Sequence, residues 1–230
     1  MRIVFIRHGE PDYENDSLTE SGRKQAADCA NRLKDEGITE VYASPCGRAA
    51  LTASYTADTL GLPVKTLEFM REITWGGPDI PYDGHLWTLS DMMINNDDFD
   101  FDHKDWKEHP SFKNNKVTQC YEHVVGGFEG FLKEQGLRKE GRRFFCESDN
   151  DKTIAIFSHG GSGACALSSL LSLPFPYVSV VFPYGFTSVI IIDLPMKKGS
   201  YTHPVVELFN DMAHVTGNKN NPVIFQQVSE

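Results

Sequence analysis

A three-layer α/β/α sandwich around a mostly parallel sheet, with an inserted cap segment, is the fold this sequence predicts. Two observations predict it. Short β-branched runs take turns with amphipathic helical stretches, which is the pattern of successive βα units. Those runs do not alternate apolar with polar residues, so both faces of their strands are buried, as in a parallel sheet.

Each element has its own justification. RIVFI, residues 2–6, is a short buried strand. Residues 19–36 predict a helix: Ala26, Cys29, Ala30 and Leu33 recur on one face, Thr19 supplies an N-cap and Gly37 a stop. VYAS at 41–44 is a second strand, Pro45 stands at a helix start, and that helix runs to about Leu60 with Gly61 as its end. PVKTL adds a short third strand. KTIAIFS at 152–158 is a strand and GGSGACALSSLLSL after it a helix. TSVIIIDL and PVVELFN are strands that can neighbour each other. Residues 76–116 break the alternation. They hold Gly76, Gly77, Pro78, Pro81 and Gly84, a short helix at 85–95, then NNDDFDFDHKDWKEHP. This stretch reads as a cap over the sheet, and a helix at 117–135 leads back to it.

Composition narrows the function classes. The 230 residues are 40% apolar, enough for a real core, and carry a net charge of −10. That charge argues against a nucleic acid or an anionic membrane as partner, but a few local cations still suffice for a small anionic substrate. The five cysteines are odd in number and contain no C-x-x-C, which points to a reducing cytoplasm rather than a disulfide framework or a zinc site. The apolar run Ile3–Ile6 is too short for a signal segment, and Pro174, Pro176 and Pro183 interrupt the apolar stretch at 163–183.

The chemistry gathers where strands end. The first strand stops at Arg7-His8-Gly9, and the second runs into SPCGRAA, which puts Arg48 in the first turn of a helix. The strand at 152–158 stops at His159-Gly160-Gly161, again at a helix start. Ligands of open α/β sheets bind beyond the carboxyl ends of the strands. Helix N-termini there offer free N–H groups to a phosphate. Two arginines and two histidines at such ends make an anion site, with glycines beside the histidines allowing close approach of the backbone. A single histidine is more often structural; the repetition is what carries the reading.

RHGE, LTESGRKQA, YASPCGRAALTA, REITWGG and FSHGGS stand in this order, and with NDMAHVTG near the end they make the chain resemble the histidine phosphatase superfamily, the phosphoglycerate-mutase-like fold. The match covers roughly 1–78 and 152–193, in one domain spanning 1–230 with the cap insertion at about 76–116. The resemblance implies that His8 is the nucleophile that becomes phosphohistidine. It implies that Arg7, Arg48 and His159 surround the phosphoryl group, and that Glu72 is the general acid and base. Without the resemblance, Glu72 reads as a surface carboxylate pairing with Arg71. Pro11 departs from the family's usual Thr, and Glu14 from its phosphate-contacting Asn; Asn15 is not carried over.

The expected activity is a metal-independent phosphomonoester phosphatase with no cofactor, acting on a small phosphorylated metabolite or a phosphoprotein. A phosphoglycerate-mutase-type phosphotransferase is the alternative. Against it, no Lys or Arg lies between Glu72 and His103, so a second anionic group on the substrate lacks a partner. Other readings are weaker. Gly161-x-Gly163-x-x-Ala166 is near a dinucleotide fingerprint but lacks the later acidic residue. Ser162, Asp193 and His214 follow the order of an α/β-hydrolase triad, but Ala164 breaks G-x-S-x-G. The acidic run fails the EF-hand pattern and is a solvated face, with Phe99, Phe101 and Trp106 packing beneath it. A non-catalytic phosphate-binding regulator would not need the whole set of His8, Arg7, Arg48, Glu72 and His159.

Overall fold

The computed structural model describes residues 1–216. In chain order its elements are β1 (Arg2–Arg7), β2 (Pro11–Asp12), β3 (Ser17–Leu18), α1 (Glu20–Leu33), β4 (Glu40–Ala43), α2 (Gly47–Leu60) and β5 (Val64–Thr66). Then come α3 (Leu86–Asn95), α4 (Pro110–Lys113), α5 (Lys116–Glu134), β6 (Leu137–Glu140), β7 (Arg143–Cys146), β8 (Thr153–Ser158) and α6 (Gly160–Leu171). The last described elements are α7 (Phe175–Val181), β9 (Val189–Asp193), β10 (Tyr201–Thr202), β11 (Val205–Asp211) and α8 (Ala213–Thr216). Gly217, the last residue of the NDMAHVTG stretch, lies outside the described residues.

The main sheet has the order β11-β9-β1-β8-β4-β5. β1, β8, β4 and β5 are parallel, and β9 alone among the six runs against its neighbours. Successive residues of β1 point to opposite faces, as the pleat requires. Ile3 and Phe5 enter a large core with α3, α5, α6 and α7, while Val4 and Ile6 enter a second core with Cys29 and Leu33 of α1 and Ala53 and Ala57 of α2. Helices on both faces give the three layers.

Local chemistry explains the boundaries. Thr19 caps α1 by accepting from the Gly22 N–H, and Gly61 ends α2 in the left-handed conformation at φ 66°. Helix α6 turns into α7 through 117° at Leu173-Pro174, and among the described residues no single helix is long and apolar enough to cross a membrane. The sequence hid three features. Strands β6, β7 and β10 make a second, antiparallel sheet. Helix α7 carries Pro176 in its first turn, where proline is tolerated. β2 and β3 form a two-residue-deep hairpin.

Residues 76–116 fold over the α6–α7 side. Trp106 is buried, and Phe99 and Phe101 pack against the larger core. The acidic residues beside them pair within the segment: Asp97 with His109 at 3.1 Å, and Asp100 with His103 at 3.0 Å.

Gly9 does not open space for a ligand, contrary to the sequence expectation. A Cβ there would stand 2.6 Å from the carbonyl oxygen of Gly22, and a Cβ on Gly22 would stand 2.2 Å from that of Glu10. The two glycines let the His8 loop lie directly on α1. Helix propensity alone makes Gly22→Ala stabilising by about 1 kcal/mol; the backbone overlap opposes it. We expect the overlap to win, with a net loss of about 1–3 kcal/mol by urea unfolding, the scale of overpacking. An unchanged midpoint would show that α1 has room to move.

Candidate active site

The parallel register sets the site. Arg7 of β1 is opposite Ser158 of β8, and Phe157 of β8 is opposite Ala43 of β4. The ladder continues one residue further, with His8 N–H donating to Ser158 O at 3.0 Å and Ser44 N–H to Phe157 O at 2.9 Å. His8, Ser44 and His159 therefore leave the sheet side by side. The His8 and His159 rings meet edge to face with centroids 5.1 Å apart.

His8 is 2% exposed. Its Nδ1 lies 2.7 Å from the Gly9 carbonyl, which only accepts, so Nδ1 carries the proton and Nε2 keeps its lone pair. Burial first, then the charge of Arg7, pushes the ring's pKa down to about 3. His159 is the N-cap residue of α6. Its Nε2 is 2.7 Å from Ser44 Oγ, and its pKa is pushed down to about 2 by burial, then by His8, Arg48 and Arg7.

The arginines approach from two sides. Arg7 donates to Tyr184 O at 3.0 Å and lies 4.4 Å from the Phe186 ring centroid. Arg48 pairs with Asp16 at 2.6 Å and lies 5.6 Å from the Tyr13 ring centroid. Arg7 Nε, Arg48 Nε and His159 Nδ1 are buried with no hydrogen-bond partner. Unpaired buried nitrogens on three neighbouring side chains are costly, and an anion with several oxygens satisfies such groups together.

Glu72 is not a surface residue paired with Arg71. Its carboxylate accepts from the N–H groups of Ser162 and Ile73, both at 2.9 Å, and of Gly161 at 3.3 Å. A Cβ on Gly161 would come within 2.8 Å of Glu72 Oε1, so glycine is required for this approach. Burial raises the Glu72 pKa and outweighs the three N–H bonds and the charge of Arg7, which lower it. Arg71 is exposed and faces Glu68 at 4.0 Å.

The expectation of free helix N-termini is corrected on both helices. Glu72 occupies N–H groups at the start of α6. Asp16 accepts from Gly47 N–H at 2.7 Å at the start of α2. A dinucleotide at Gly161–Ala166 would compete with Glu72 for the same donors. The hydrolase triad does not assemble either. Asp193 is level with Arg2, four residue steps of β1 from Ile6, which faces Val189; this places it about 13 Å down the strand. His214 Nε2 lies 3.4 Å from Thr187 Oγ1, and Ser162 Oγ is buried without a partner. Asn15 bonds Asp12 at 2.8 Å.

The sequence reading missed Asp16, Ser44, Tyr184 and Phe186. Ser44 was within reach, since it ends a strand whose neighbours end in histidines. Nothing local marks Tyr184 or Phe186.

The model of the histidine phosphatase superfamily (branch 1) matches residues 3–203. The chain belongs to this superfamily. A probable phosphoglycerate mutase, GpmB, from Yersinia pestis (strain Pestoides F) is 28% identical over 191 residues, 76% of each chain. Phosphoserine phosphatase from Entamoeba histolytica, in complex with 3-phosphoglyceric acid, superposes with a TM-score of 0.61 at 21% identity, over 93% of this chain and 98% of that one. A mycobacterial glucosyl-3-phosphoglycerate phosphatase, in complex with inorganic phosphate, gives 0.61 and 21% over the same shares. These solved structures show the fold.

The buried neutral histidines have a consequence for stability. Unfolded histidine titrates near 6.5, so below that pH unfolding takes up a proton at each ring. Stability is therefore present above pH 6.5 and falls as the pH drops towards about 3. Each ring contributes up to about 1.4 kcal/mol per pH unit. His8→Asn should make the slope of unfolding free energy against pH, between about pH 6 and 5, shallower by roughly that amount. An unchanged slope would mean that His8 is charged in the folded protein.

Proposed function

We propose that the protein is a phosphomonoester phosphatase working through phosphohistidine on His8. The observation that carries this reading is the state of that ring. Its proton is committed to the Gly9 carbonyl, and burial with Arg7 keeps it uncharged, so Nε2 offers an electron pair beside two guanidiniums.

In the first step Nε2 attacks phosphorus, the N–P bond forms, and the P–O bond to the leaving group breaks. Glu72, with its raised pKa, gives that oxygen its proton. In the second step Glu72 takes a proton from water, whose oxygen attacks phosphorus and releases His8 and phosphate. Arg7, Arg48 and His159 Nδ1 hold the three equatorial oxygens through both steps. The guanidiniums supply the charge neutralisation, so a chelator is expected to leave turnover unchanged. Loss with EDTA, restored by a divalent ion, would count against this.

Water is the proposed acceptor. The Yersinia relative's name points instead to a mutase. The residues from Glu72 to His103 hold no Lys or Arg, and burial lowers the pKa of His85 among them, so the region lacks a cation for a carboxylate on the substrate. A small phosphorylated metabolite is the substrate class the solved relatives' names suggest. The five cysteines are free thiols, four of them buried, which fits the cytoplasm.

His8→Ala should abolish turnover, and brief exposure of wild type to substrate should leave acid-labile phosphate on His8. Glu72→Gln should slow an alkyl phosphate by about 10²–10⁴-fold, the scale of general acid catalysis. A dinitrophenyl phosphate needs no proton on its leaving oxygen. It should give a burst of dinitrophenol, then slow turnover as phosphoenzyme accumulates. Equal losses on both esters, with no burst, would show that the acid lies elsewhere.

A further inference from the structure

We infer that the site takes phosphomonoesters whose leaving group carries an uncharged planar aromatic ring, held against Trp75 and Trp87. The inference rests on the phosphatase reading above and names its substrate class.

Trp87 stands in the first turn of α3, beside the α6 N-terminus. A single point, the position of a Cβ on Gly160, is 3.6 Å from Arg7 Cζ and 3.7 Å from Trp87 Cζ2. The indole edge and the guanidinium therefore flank the same turn that follows His159 and gives its N–H groups to Glu72. Trp75 follows Glu72 by three residues and meets Trp87 edge-on, with centroids 5.7 Å apart at 84°. His85 closes the group, 5.3 Å from Trp75 and 5.5 Å from Trp87. The turn between them, with Tyr82, Asp83 and Gly84 all at positive φ, folds His85 and Trp87 back onto Trp75.

These rings are not simply core. Trp75 is 37% exposed and Trp87 half-buried, whereas Leu86 and Leu89 of the same helix are fully buried. On the far side of the site, exposed Tyr13 lies over Arg48. His85 Nδ1 is 2.8 Å from Thr88 Oγ1, and burial lowers the ring's pKa, so it is uncharged at neutral pH. The mouth thus has aromatic faces and edges beside Arg7 and Arg48; the further cation within reach among the described residues is Arg71, which is exposed and turned to Glu68 at 4.0 Å, away from the indoles. A carboxylate or a polyol lying against the two indoles would lose water there without gaining partners. A flat aromatic ring gains edge-to-face contacts.

The test uses a matched pair, 2-phenylethyl phosphate and 2-cyclohexylethyl phosphate. Their leaving oxygens are equally basic, so a difference reports binding of the ring rather than chemistry. In wild type, kcat/KM for the phenyl ester should exceed that for the cyclohexyl ester by about 3–10-fold, the scale of one or two aromatic contacts. It should exceed that for 3-phosphoglycerate by roughly tenfold or more. In Trp75→Leu, whose side chain is exposed enough for the protein to fold, the phenyl-to-cyclohexyl ratio should fall to about one. The corresponding phosphonates, which cannot turn over, should bind wild type in the same order by calorimetry. Hydrolysis of both esters without preference overturns the inference and leaves the phosphatase reading standing. Preferential phosphonate binding with no hydrolysis and no phosphohistidine overturns the phosphatase reading and leaves the aromatic site. Equal binding of the two phosphonates overturns the inference whatever the turnover.

Discussion

Everything at the site depends on three parallel strands ending level. β1, β8 and β4 pair in register to their last residues, and the hydrogen-bond ladder then carries His8 and Ser44 one step beyond. A slip of one residue would turn every side chain to the opposite face and send His8 into a hydrophobic layer. β1 is apolar on both sides, so its register is held by the fit of each side chain, Ile3 and Phe5 in one core and Val4 and Ile6 in the other, and by the arginines that bound the run. Each of Ile3, Val4, Phe5 and Ile6 is at most 2% exposed, so a shifted pairing would repack all four and draw Arg2 or Arg7 into the buried stretch. The precision of the chemistry is inherited from the packing of residues that take no part in it.

A second constraint concerns where negative charge is already present. Both helix N-termini at the site carry a protein carboxylate, Glu72 on α6 and Asp16 on α2. The dipoles and N–H groups of these helices therefore position side chains, and the phosphoryl binding proposed above falls to the arginines and His159. Glu72 gains a fixed orientation from three N–H groups while its burial still favours the protonated form. Asp16 fixes Arg48 in one place.

The sheet and the main helices were legible in the sequence because doubly buried strands and capped helices leave strong local patterns. Strands β6 and β7 were not, because LRKE and RFFC are short and carry charges, and β10 is only two residues long. At the site, Arg7, His8, Arg48 and His159 could be read from their positions after strands. Glu72 could not: beside Arg71 it looks like half of a surface ion pair, and only the family resemblance singled it out. The role expected of Gly9 differed from the one observed, because contact with Gly22 is a tertiary fact with no local trace. The grouping of Trp75, His85 and Trp87 was invisible for the same reason, being made by a tight turn within a segment whose composition suggested only an irregular cap.

The pairing of Asp16 with Arg48 also bears on how a substrate arrives. Asp16 offsets the charge of Arg48, burial favours the uncharged form of Glu72, and the chain around them carries a net charge of −10. On the phosphatase reading proposed above, a phosphate dianion meets the long-range repulsion of that net charge before it comes close to the arginines. Added salt screens the long-range repulsion far more than the contact inside the cleft. On that reading ionic strength quickens diffusional capture, the reverse of an enzyme that steers its anionic substrate with a basic face.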